Sequence, residues 1–142
     1  MANVKAAGAI CYIVDGKDVL FLILRSSKFG EWGPPKGHAE PFESELETAA
    51  RELYEEAGLK SLRFTPGFRE TLTYTVKKKG VETQKDAVYF LCALETDEVT
   101  ISPEHTEAHF ATMDELDVLL PHENLKELYR KASDFIKKLK AP

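Results

Sequence analysis

The stretch that most constrains this chain is residues 26–43. It carries Gly30, Gly33, Pro34, Pro35, Gly37 and Pro41. Proline lacks an N–H and breaks helices and central strands, so the stretch reads as a loop. A loop this long in a small domain is usually functional or disordered, and its prolines and Trp32 favour function. Regular structure is predicted on both sides of it. Residues 4–14 and 18–25 are β-rich and flank Asp15-Gly16-Lys17, a hairpin turn. Downstream, Ser44 can cap a helix, with Glu47 closing a capping box. Leu46, Ala49, Ala50, Leu53 and Ala57 follow helical spacing, and Gly58 is the stop. These signals predict a helix from about 45 to 57.

A second hairpin is expected from residues 62–76 and 81–94, with Lys77, Lys78 and Lys79 near its tip. Residues 99–101 and 109–112 read as short strands. Residues 114–119 read as a short helix, and 124–139 as a longer one with Leu125, Leu128, Ala132, Phe135, Ile136 and Leu139 on one stripe. The order implies an α/β fold in which a mixed sheet is flanked by helices, an α/β/α sandwich. At 142 residues the chain is expected to be one domain, 1–142, and a monomer.

Composition narrows the class. Hydrophobic residues make up 43% and charged residues 30%, which excludes disorder. No apolar run has membrane-spanning length, and MANVKAAGAICYIV lacks the order of a signal peptide. A net charge of −5 argues against an extended nucleic-acid surface. Cys11 and Cys92 sit in apolar runs without metal spacing, as buried thiols in a reducing compartment would; a cytoplasmic protein is expected.

The chemistry is concentrated in Arg51-Glu52-Leu53-Tyr54-Glu55-Glu56-Ala57-Gly58. On a helix, Glu52 faces Glu55 and Glu56. Three carboxylates on one turn repel one another, and the helix dipole disfavours them near the C-terminus. Alone, such a turn reads as a solvated acidic face. A hard divalent cation with oxygen ligands is the alternative. The glycine-rich loop upstream, which can bring backbone close to a metal-bound phosphate, favours the cation.

Gly37-x5-Glu43-x7-Arg51-Glu52-Leu53-x-Glu55-Glu56-x-Gly58-Leu59 matches every fixed position of the Nudix box. The chain resembles the Nudix hydrolases in this box and in its element order. That resemblance implies a Nudix fold and divalent-metal cleavage of a nucleoside diphosphate linked to another group. It makes Glu52, Glu55 and Glu56 metal ligands, with the Gly37 carbonyl, for Mg²⁺ or alternatively Mn²⁺. It makes Glu43 and Arg51 the ion pair that holds the loop against the helix.

The flanks resemble one branch of the family. Trp32-Gly33-Pro34-Pro35-Lys36-Gly37-His38-Ala39-Glu40-Pro41, Val4-Lys5-Ala6-Ala7-Gly8 and Ser102-Pro103-Glu104-His105 are similar to stretches of the asymmetrical diadenosine tetraphosphate hydrolases. The implied substrate is a small dinucleoside polyphosphate, Ap4A, cleaved to ATP and AMP. Lys36 and His38 would contact phosphate, Glu104 would be the general base on a loop that closes over substrate, and Tyr74 would stack on adenine. Lys85 and Tyr89 would reach the phosphate chain, and His122 would be a second stacking ring. Alternatives are diphosphoinositol phosphates, nucleotide sugars and RNA 5′ ends, or a nucleotide-binding module without catalysis. Two departures stand out. Phe42 replaces a glycine of many Nudix boxes, so a loop without positive φ is expected there. Glu31 replaces a histidine and is expected to point away from the site.

Overall fold

In the computed structural model, which describes residues 4–140, strand β1 (Val4–Asp15) alternates between two cores. Ala9 and Cys11 pack with Leu22, Leu24, Leu53, Ala57 and Cys92 on one side. Ile10 and Tyr12 pack with Phe21, Ile23, Leu91, Leu128, Tyr129 and Ile136 on the other. Successive strand residues point to opposite faces, so one sheet serves both cores. Helix α1 (Glu45–Ala57) covers the first face; α2 (Met113–Leu119) and α3 (Glu123–Lys140) cover the second. The Tyr129 hydroxyl donates to the Leu22 carbonyl at 3.3 Å and pins α3 to the sheet.

The remaining strands are β2 (Asp18–Ser26), β3 (Trp32–Gly33), β4 (Lys36–His38), β5 (Arg63–Lys78), β6 (Val81–Ala93) and β7 (His105–Ala111). The main path is β3-β2-β1-β6-β5, with β4 on β1 and β7 on β2. All pairs are antiparallel except β1 and β6, which run parallel from Val4↔Lys85 to Tyr12↔Ala93. The α/β/α sandwich with a mixed sheet is therefore observed.

The expected 26–43 loop is partly strand. β1 and β2 pair from Asp15↔Asp18 to Tyr12↔Phe21 and then separate. β3 pairs with Leu24 and Arg25 of β2, and β4 with Ala6–Gly8 of β1. Pro34 and Pro35, barred from strand ladders, sit at the bend between the two short strands. Gly8 permits this close approach: a Cβ there would meet Lys36 Cβ at 2.6 Å and Lys36 Cα at 2.8 Å.

Helix α1 begins and ends where its caps predict. Both halves of the Ser44–Glu47 capping box are formed. Gly58 is left-handed (φ 69°); its N–H donates to Tyr54 O, and that of Leu59 to Leu53 O. The expected strand at 99–101 is absent. Its amides serve the helix instead: Thr100 N–H donates to Ala57 O at 3.0 Å and Ser102 N–H to Glu56 O at 3.2 Å. β7 starts at His105 rather than 109 and pairs with β2. Lys79 and Gly80 close the β5–β6 hairpin with φ of 51° and 80°, the positive values of a two-residue turn matched to strand twist.

Candidate active site

One arginine brackets the loop to the helix. Arg51 Nε donates to Glu43 Oε2 at 2.7 Å and Nη2 to Glu43 Oε1 at 3.1 Å, a two-pronged pair. Nη2 also reaches the His38 carbonyl at 2.9 Å, and Nη1 reaches Glu52 at 2.9 Å and Glu55 at 3.0 Å. Glu43 accepts further from Glu40 N–H and the Thr48 hydroxyl. Arg51, then these other donors, hold the Glu43 carboxyl down at about 2. Thr48, wholly buried, is a support that no sequence pattern announced.

The helix acids are not equivalent. Glu55 is half exposed and is held by Arg51. Glu52 is 12% exposed, and its carboxylate lies over the Gly37 Cα, where a Cβ would overlap it. Glu56 is a buried carboxylate, 6% exposed, and accepts the Lys36 N–H at 3.1 Å. Burial first, then the charges of Glu52 and Glu104, push its carboxyl up to about 8. Burial likewise raises Glu52, against Arg51, with Glu55 and Glu104 adding to the rise. An excess of hard oxygen donors that repel one another suits a divalent cation. Among the described residues no three His, Cys, Asp or Glu side chains already form a closed metal cage. Mg²⁺ does not require one, because it commonly takes one or two carboxylates with waters and phosphate oxygens.

A cationic and aromatic shelf adjoins the acids. Lys36 holds Glu56 through its backbone, and its Nζ donates to the Tyr74 hydroxyl at 2.6 Å while lying 4.3 Å from the ring centroid. Tyr74 pairs across the sheet with Lys85, whose Nζ is 3.2 Å from His38 Nε2. Lys36, His38, Tyr74 and Lys85 thus meet. Tyr89 does not join them at the surface. It is 1% exposed and packs in the core, so its ring offers a phosphate chain no surface, while its hydroxyl lies within electrostatic reach of Tyr74 and Glu56. His122, between α2 and α3, lies 3.9 Å from Glu31, so Glu31 faces this imidazole. His109 bonds Glu115 at 2.8 Å and packs its ring edgewise on Trp32.

Phe42 has φ of 69°, against the expectation of a loop without positive φ. The turn keeps the glycine conformation although phenylalanine stands there, at a cost of about 1–2 kcal/mol for a residue with a Cβ. Its side chain is fully exposed, so no packing constrains it.

Glu104 sits on the segment that caps α1, and its charge is felt by both Glu52 and Glu56. This segment is tied on its other flank too. Ser27 N–H donates to Glu104 O and Ser27 Oγ to Pro103 O, both at 2.8 Å. The expected closing loop is therefore fastened from both sides. Ser27 was not singled out by the sequence, since its partner lies 76 positions away.

The bracket, the acidic turn and the shelf define a class, and residues 4–136 match the NUDIX domain: the chain belongs to the Nudix family. It is similar to the asymmetrical bis(5′-nucleosyl)-tetraphosphatase of Rattus norvegicus, 35% identical over 87% of this chain and 84% of the relative. The Caenorhabditis elegans protein of that name is 34% identical over 94% and 96%. In structure the chain resembles a C. elegans Ap4A hydrolase binary complex, with TM-score 0.87, 33% identity and coverage of 95% and 98%. An Escherichia coli dihydroneopterin triphosphate pyrophosphohydrolase shares the fold at TM-score 0.74 and 17% identity.

Proposed function

We propose that the chain hydrolyses diadenosine 5′,5‴-P1,P4-tetraphosphate with one water to ATP and AMP, in the presence of Mg²⁺ or Mn²⁺. The observation that carries this reading is the junction at Lys36. One residue joins the buried acid Glu56 through its backbone to the aromatic Tyr74 through its side chain. A phosphate chain lying across Lys36 would have a metal-binding turn at one side and a base-stacking ring at the other. The 31–35% identity to curated tetraphosphatases supports the same substrate.

In this reading Glu52, Glu55, Glu56 and the Gly37 carbonyl hold the cation. Bound there, it supplies polarisation of a phosphoryl oxygen and neutralisation of charge on the leaving phosphate. Arg51, braced by Glu43, orients Glu52 and Glu55, and Gly58 ends the helix so that Glu56 faces the loop. Glu104 takes a proton from the attacking water. Lys36, Lys85 and His38 bind phosphate oxygens, Tyr74 stacks on one adenine and His122 on the second. The protein acts as a monomer, and its free, buried Cys11 and Cys92 suit the reducing cytoplasm. Among the described residues no helix is long and apolar enough to cross a membrane.

Incubation with Mg²⁺ and a panel of Ap4A, ADP-ribose, a diphosphoinositol phosphate and 5′-triphosphate RNA, followed by chromatography, tests the proposal. ATP and AMP in equal amounts from Ap4A is the expected result. Turnover of another panel member with Ap4A untouched at enzyme excess overturns the substrate.

A further inference from the structure

The chain between β6 and β7 is caught between two neighbours. On one side its amides cap the last carbonyls of α1: Thr100 N–H on Ala57 O, Ser102 N–H on Glu56 O. Those carbonyls have no partner within the helix, so the contact satisfies groups that would otherwise face water. On the other side stands the turn after β2. The β2–β7 ladder runs regularly from Phe21↔Ala111 to Arg25↔Glu107 and then shifts register, so that Ser26 faces His105. Such bulges beside active sites re-aim the strand. One residue further, Ser27 makes the two bonds that end the ladder, donating its N–H to Glu104 O and its hydroxyl to Pro103 O, each 2.8 Å.

The turn that carries Ser27 is itself braced. Ser26 N–H donates to Glu31 O and Gly30 N–H to Ser26 O, both 2.8 Å; Phe29 N–H donates to Ser26 Oγ at 3.2 Å. Arg25 Nε donates to Gly30 O at 3.0 Å. Ser27 therefore projects from a closed turn of fixed shape. Its hydroxyl supplies a side-chain bond to Pro103 O beside the main-chain bond from its N–H to Glu104 O.

We propose that Ser27 is a positioning residue for hydrolysis, its two hydrogen bonds to the Pro103 and Glu104 carbonyls holding the Glu104 carboxylate over the acids of α1. The inference rests on the reading of Glu104 as the general base. Ser27 touches neither substrate nor water in this scheme and acts only through Glu104. Loss of its hydroxyl leaves Pro103 O to solvent and leaves the Ser27 N–H bond to Glu104 O without its neighbour, so the loop is held less rigidly on this side. A general base must stand within hydrogen-bond reach of the proton it takes, and misplacement by about 1 Å can cost up to about a hundredfold in rate.

The test compares S27A, S27V and S27T with the wild type, alone and combined with E104Q, by steady-state hydrolysis of Ap4A with saturating Mg²⁺. Ser27 is on the surface, so all three are expected to fold, and thermal melting checks this. S27A and S27V should lose about tenfold in kcat with KM within about twofold. S27T, which keeps the hydroxyl, should stay near wild type, although valine has nearly the same shape. In the E104Q background, S27A should add no further loss, because the group it positions is gone. A full additional loss there overturns the inference, as does wild-type kcat in S27A and S27V when E104Q alone is slow. E104Q with normal turnover overturns the reading of Glu104 itself, and the inference with it.

Discussion

Gly37 shows how much one side chain's absence can decide. Its Cα lies under the Glu52 carboxylate, which occupies the space of a Cβ. The clashing atoms are the end of a flexible side chain, so Gly37→Ala can be accommodated by turning Glu52 aside. The fold should survive, with melting near wild type. Activity should not, because the displaced carboxylate is one of the proposed cation ligands; we expect a loss of about 100-fold or more in kcat. A variant that melts normally and turns over normally would remove Glu52 from the cation site. Lys36 is the residue of widest consequence, since it is bound to an acid by its backbone and to an aromatic ring by its side chain. Phe42 is the opposite case: its conformation follows the turn rather than its own preference.

At the scale of elements, the 36–43 segment and α1 are one unit held by Arg51. Glu43 titrates well below its ordinary 4.5, at about 2, because Arg51 favours its charged form. A depressed folded-state value means the contribution to stability is present above about pH 4.5 and is lost as pH falls through about 2. Glu43→Gln should therefore flatten the fall in stability between pH 4.5 and 2, read by denaturant melts across that range. An unchanged slope would show that Glu43 is no better stabilised folded than unfolded. Helix α1 was legible in the sequence because its signals are local: a capping box, a helical apolar stripe and a glycine stop all lie within or directly beside it. What was not legible depends on distant partners. β3 and β4 are strands only because β1 and β2 part and leave edges for them. Residues 99–101 have strand-like residues, but the Thr100 amide goes to a helix carbonyl. Tyr89 was expected to reach the phosphate chain, and a run buried on both faces carries no alternation to show that it lies in the core. Ser27 has no local signal at all.

At the scale of the whole molecule, the excess of buried negative charge couples stability to pH and to cations. Glu56 titrates near 8, above its ordinary 4.5, so its protonated form is favoured in the folded state. Its contribution is fully present below about pH 4.5 and is lost as pH rises through about 8. Without divalent cation, thermal stability should decline across that window; with millimolar Mg²⁺ at pH 8 it should recover, since a ligand that binds only the folded state stabilises it. Glu56→Gln should abolish both the decline and most of the Mg²⁺ effect. Equal Mg²⁺ stabilisation in that variant would place the cation elsewhere. The parallel pairing of β1 with β6 has a consequence for how the protein is made. Synthesis runs from the N-terminal side, so β1 emerges before β6 and waits for residues 81–93 before its second edge is covered. Until then it exposes backbone to any neighbouring strand, a known route to aggregation. The site is completed later still, when Glu104 arrives and meets Ser27. A nascent chain halted before residue 100 would already hold the entire acidic turn, and still lack Glu104, the proposed base, and the segment that caps its helix.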